Sequence, residues 1–91
     1  MSNKSNVLLV EQKKSTSGTN IAANEWGSIS PSVTKSGYTP LGTLGCFITS
    51  DNTKVVMRGC YVDSNMVWLS VYNAGSATTW GYRVYILYMK N

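Results

Sequence analysis

The sequence predicts an all-β fold, a small antiparallel β-sandwich of jelly-roll-like type in a single domain, and three observations carry that prediction. No stretch places apolar residues at i, i+3, i+4 and i+7 between helix caps, so helix signals are almost absent. Short strand-like runs rich in Val, Tyr and Thr recur between turn clusters at intervals of about eight to twelve residues, the spacing of sandwiches and barrels. The length of 91 residues leaves room for one core and no second.

The elements follow in order. Asn6–Glu11 reads as a first strand, and Gln12–Thr19 as a polar stretch with a loop at Ser15-Thr16-Ser17-Gly18. Thr19–Ala23 and Trp26–Val33 are the next strand candidates, with Pro31 confining the second to an edge or an interruption. Thr34–Gly37 is a turn. Tyr38–Gly42 is an extended connector, because Pro40 pushes Thr39 out of the helical region. Strands then follow at Thr43–Thr49, Lys54–Val62, Met66–Asn73 and Thr78–Lys90, joined by turns at 50–53, 63–65 and 74–77. On this reading residues 1–25 supply an N-terminal strand and polar loop, and residues 26–91 form the sandwich head.

Side chains alternate across a strand, so each run can be divided into two faces. Val67, Leu69 and Val71 form a core set opposed by Met66, Trp68, Ser70 and Tyr72. In the last strand Tyr82, Val84, Ile86 and Tyr88 oppose Arg83, Tyr85, Leu87 and Met89. In Lys54–Val62 the simple alternation puts Val55, Met57 and Tyr61 against Val56, Arg58, Cys60 and Val62. Several second faces are too aromatic and aliphatic for an ordinary wet surface. A chain this short has little protein left to cover them, and a second copy of itself is the simplest cover.

Composition narrows the function. Histidine is absent, which removes the commonest general base and metal ligand. Of the four carboxylates Glu11, Glu25, Asp51 and Asp63, the last two fall in turns, where Asp is favoured for its local backbone bonds. Cys46 and Cys60 sit in apolar strands as small buried hydrophobes, far from any zinc-ligand spacing. No catalytic residues, metal or cofactor are expected, and the chain reads as a non-enzyme. The formal charge of +4 is scattered, with Lys13 and Lys14 its only adjacent pair, so no nucleic-acid stripe forms. No apolar run approaches a membrane span, and the opening has too short an apolar run for a signal peptide. The protein is therefore expected to be made and kept in the cytosol, or to leave it by cell lysis rather than secretion, with both thiols reduced.

The aromatic residues carry the remaining signal, because Tyr and Trp offer large contact area at low entropic cost. The candidate ligand or interface residues are Trp26, Trp68, Tyr72, Trp80, Tyr82 and Tyr85. Trp68 and Tyr72 share the face opposite the core stripe, and Trp26 and Trp80 stand near strand starts.

The string Val33-Thr34-Lys35-Ser36-Gly37-Tyr38-Thr39-Pro40-Leu41-Gly42, followed by a meander and the ending Arg83-Val84-Tyr85-Ile86-Leu87-Tyr88-Met89-Lys90-Asn91, resembles a known type. It is similar to the C-terminal domains of tail fibre, baseplate and receptor-binding proteins of phages that infect Gram-positive and gut bacteria. The likeness runs from near Trp26 to the end and carries no ligand residues across. It implies a compact sandwich head, usually a homotrimer on a fibrous stalk, that binds cell-surface saccharide or protein and resides in the virion. The alternatives are a structural virion piece, such as a decoration or baseplate part, and a small phage protein that grips a host protein.

Overall fold

The computed structural model describes residues 7–91, and these form seven strands and no helix. They are β1 (Leu8–Lys14), β2 (Thr19–Ile21), β3 (Trp26–Ile29), β4 (Tyr38–Thr49), β5 (Val55–Asp63), β6 (Met66–Asn73) and β7 (Thr78–Lys90). Every pairing is antiparallel. The strands make two sheets that face each other across one core, so the expected all-β sandwich is the fold.

β7 is the spine of the first sheet. β4 pairs with it from Gly81 to Lys90, β1 pairs with it from Arg83 to Met89, and β2 takes up Thr78–Trp80 where β1 leaves off. The described residues ahead of Trp26 thus contribute β1 and β2 to the same sandwich. In the second sheet β6 lies between β3 and β5. Val67, Leu69 and Val71 of β6 meet Trp80, Tyr82, Val84, Ile86 and Tyr88 of β7, with Ile21, Val33 and Val55 completing the buried set. Each such side chain contributes about 1.5–3 kcal/mol on burial. The core face assigned from alternation in β6 is the face that is buried, and in β7 the buried parity is that of Tyr82, Val84, Ile86 and Tyr88.

Several boundaries shift for identifiable reasons. β1 starts at Leu8 and continues to Lys14, because β7 offers Tyr85, Val84 and Arg83 as partners to Gln12, Lys13 and Lys14. The expected start at Asn6 lies outside the described residues. β3 stops at Ile29, just before the backbone enters Ser30-Pro31. There the Pro31 carbonyl accepts the Val67 N–H at 3.0 Å, and Ser32 makes an isolated bridge to Met66. Tyr38–Gly42, expected to be a connector, is the beginning of β4. Pro40 is buried opposite Tyr88, and the ladder accommodates it with a bulge before Gly42.

β5 and β6 form a hairpin through Ser64 and Asn65, both at positive φ (53° and 65°), the conformation a two-residue type I′ connection requires. At the other end of β6, Asn73 is fully buried and bonded on every side. Its amide donates to the Ala22 and Ser76 carbonyls at 3.1 and 2.9 Å, and its Oδ1 accepts from Gly75 N–H at 2.9 Å. Asn52 reaches in to Asn73 Oδ1 at 3.3 Å. The 22–25, 50–54 and 73–77 segments are closed around this one side chain, because a buried amide left unpaired would be costly.

Candidate functional site

Strand register decides which aromatic side chains leave the core. In β6 the buried Val71 and Leu69 alternate with Tyr72, Ser70 and Trp68, so the latter three point outward. Trp26 stands directly across the β3–β6 ladder from Tyr72, with ring centroids 4.9 Å apart and planes tilted by 59°. Trp26 is 58 % exposed and Trp68 39 % exposed, both large values for indoles in a small domain. Three of the sequence candidates, Trp26, Trp68 and Tyr72, are therefore gathered on the outer face of the β3-β6-β5 sheet.

Sequence alternation misplaces one further member. A bulge between Met57 and Gly59 inserts one residue into β5, so the faces change places beyond it. Cys60 and Val62 turn inward with Val55 and Met57, and Tyr61 turns outward opposite Trp68. Tyr61 is 58 % exposed, and Val56 and Arg58 are exposed on the same strand. Arg58 carries its guanidinium carbon to 4.6 Å from the Trp26 ring centroid. The only clue in the sequence was the glycine after Arg58, since strand glycines often mark bulges.

Tyr85 lies elsewhere, on the outer face of the β7 sheet. It packs edge-on against Phe47 at 6.3 Å, and Arg83 stands 4.9 Å over the Phe47 ring. Leu8, Val10 and Met89 continue this face, and Leu41 and Leu44 are exposed where β4 bulges. It is predominantly aliphatic, in contrast to the indole- and phenol-rich face of the other sheet.

Two candidates are corrected. Trp80 is 2 % exposed and Tyr82 is 7 % exposed; both are core residues and present no contact surface. Trp80 lies on the inward parity of β7 and packs over Gly27, where a Cβ would sit 3.4 Å from its Nε1. A strand-start position suggested exposure, but the parity shared with Val84 and Ile86 decided the direction. Among the described residues the buried indole Nε1 finds no acceptor.

The titratable groups offer little chemistry. Glu11 pairs with Lys35 at 3.1 Å, Glu25 accepts the Ala22 N–H at 2.9 Å, and Asp63 accepts the Ser64 hydroxyl at 3.2 Å in the hairpin turn. Among the described residues no three His, Cys, Asp or Glu side chains are grouped to hold a metal ion. Cys46 of β4 and Cys60 of β5 meet from opposite sheets as free thiols. Burial, followed by a hydrogen bond with Cys60, pushes the Cys46 thiol up to about 12, the reverse of nucleophile activation. A hydroxyl-lined cleft of about 610 Å³, bordered by Ser15, Thr16, Thr49, Ser50, Asp51 and Gly81, opens where the chain crosses from β1 to β2. It carries no aromatic platform, since Trp80 beneath it is buried.

The described residues thus present one aromatic face bearing a cation and one largely aliphatic face, on opposite sides of the sandwich. In comparisons with known proteins, the chain matches no family model, no curated protein and no solved structure.

Proposed function

We propose that this chain is a non-enzymatic head domain of a phage tail or fibre, which self-associates and binds a host cell-surface saccharide. The observation that carries the proposal is the pair of uncovered outer faces. Trp26, Tyr61 and Trp68 stand out on one, and Leu8, Val10, Phe47 and Met89 on the other. Exposed apolar patches of this kind mark interaction surfaces. The resemblance of the Val33–Gly42 string and of the Arg83–Asn91 ending to receptor-binding domains supplies the biological setting.

The two faces suit different tasks. Permanent subunit interfaces resemble a core cut in half, which favours the aliphatic β4-β7-β1 face for self-association, with a homotrimer as the expected assembly. Sugar rings present apolar C–H faces and hydroxyl edges, which favours the aromatic β3-β6-β5 face for the receptor. Adsorption competition tests the proposal. Soluble protein added in excess is expected to block attachment of the cognate phage to its host. Unchanged attachment, with no retention of the protein on host envelopes, overturns it.

A further inference from the structure

The register of the β3-β6-β5 sheet corrugates its outer face. Trp26, Tyr72 and Val56 stand in one row across the strands, Ser28, Ser70 and Gly59 in the next, and Trp68 with Tyr61 in the third. Same-face rows are two residues apart, so the two bulky rows are separated by about 14 Å along the strands. The row between them is small and polar. A Cβ built on Gly59 would find no heavy atom within 4 Å, so the floor is open at β5. A trough thus crosses the sheet, with two serine hydroxyls and a glycine beneath and aromatic rings on either side.

One wall is charged. The bulge gives β5 an extra residue at Arg58, and its guanidinium is held 4.6 Å over Trp26. The ion pair formed among the described residues joins Lys35 to Glu11, so no carboxylate neutralises Arg58. A guanidinium carries five N–H donors in a planar fork that matches a carboxylate, and the aromatic contact holds it on this wall. Trp26 keeps 58 % of its surface exposed beside Arg58, and Trp68 and Tyr61 offer ring surface on the opposite wall.

We infer that this trough binds a chain of acidic pyranose sugars, with Arg58 pairing to a uronate carboxylate. Trp68 and Tyr61 take the sugar ring faces, and Ser28 and Ser70 meet ring hydroxyls on the floor. A protein partner is disfavoured, because its apolar side chains would span a floor that returns no apolar contact. A phosphate polymer without rings would leave the Trp68–Tyr61 wall unused. The inference rests on the reading of the chain as a glycan-binding head and narrows its receptor to an anionic class.

Titration calorimetry on the full chain tests it with tetragalacturonate, the same oligomer fully methyl-esterified, and inorganic polyphosphate. Tetragalacturonate is expected to bind, and Arg58→Gln to weaken it tenfold or more, as loss of a charged hydrogen bond does. The ester is expected to bind wild type no better than the acid binds Arg58→Gln. Trp68→Ala is expected to weaken the acid and the ester alike, and thermal melts of both variants to match wild type. Absence of tetragalacturonate binding, or equal affinity for acid and ester, overturns the inference. So does polyphosphate binding as tight as the acid's and indifferent to Trp68→Ala. Retention on host envelopes separates this from the broader reading. Equal retention of wild type, Arg58→Gln and Trp68→Ala removes the trough but keeps the head domain, whereas tetragalacturonate binding without retention on any host keeps the trough and removes the head.

Discussion

Trp68 and Leu69 are neighbours in β6 that face opposite ways, the indole 39 % exposed and the leucine side chain 1 %. The pair therefore separates what the surface does from what the core does. Leu69→Ala leaves a cavity between the sheets and is expected to cost about 2–5 kcal/mol, enough to unfold most of so small a domain. Trp68→Ala is expected to change stability by about 0.5 kcal/mol or less, as exposed substitutions do, while weakening receptor contact. Thermal melts and envelope retention, read together, check both. Equal behaviour of the two variants would contradict the assignment of faces.

Asn73 closes one end of the sandwich through bonds to three segments. Asn73→Leu is expected to destabilise by about 1–3 kcal/mol, since the Gly75 N–H loses its acceptor and the Ala22 carbonyl its side-chain donor where three segments meet. Urea denaturation measures the loss. A change within 0.5 kcal/mol of zero, on the order of a neutral surface substitution, would show that the amide is dispensable.

The Tyr88 hydroxyl donates to the Val33 carbonyl at 2.7 Å in the interior, pinning the 30–37 segment over the end of β7. Tyr88→Phe keeps the ring and removes the donor, and an expected cost of about 1–2 kcal/mol follows. Hydrogen exchange should then quicken at Val33 and its neighbours more than at β6. Uniform quickening would argue that the bond supports the whole core rather than this segment.

Much of this was legible in the sequence. The inward sets Val67-Leu69-Val71 and Tyr82-Val84-Ile86-Tyr88 are read directly from alternation, because both strands are unbroken in the middle of their sheets. Alternation failed in β5, where the bulge before Gly59 reversed the faces of Cys60, Tyr61 and Val62. It also hid the first turn of pairing in β4, where Pro40 looked like a connector but lies opposite Tyr88. Residue type marks Trp80 and Tyr82 as contact aromatics, whereas parity with Val84 buries them. The aromatic face was thus half visible: Trp26, Trp68 and Tyr72 were found, while Tyr61 and Arg58 depended on a bulge whose place the pattern does not announce.

The Cys46 thiol, pushed up to about 12, has a pH consequence with a definite sign. In the unfolded chain it ionises near the ordinary thiol value of 9.0, so between these values the unfolded state binds fewer protons than the folded one. The stability it contributes is complete below pH 9 and is lost as pH rises toward 12. The burial-raised Tyr82 and Tyr88 phenols add to the loss in the same direction. Wild-type stability is expected to fall over this window more steeply than that of Cys46→Ala, and denaturation midpoints against pH measure the difference. Parallel curves would contradict the assignment. Alkylation of Cys46 by iodoacetamide at pH 8 is likewise expected to be slow in the folded protein and fast in urea.

The account turns on two outer faces on which the described residues expose apolar side chains, and sedimentation equilibrium at micromolar concentration tests this most directly. A mass that is a multiple of the 10.0 kDa chain, three copies for the expected trimer, is the result the account requires. Val10→Lys, placed on the aliphatic β4-β7-β1 face, should return that mass to a single chain while Trp68→Ala leaves it assembled. A wild-type mass of 10.0 kDa at every concentration would contradict the central claim.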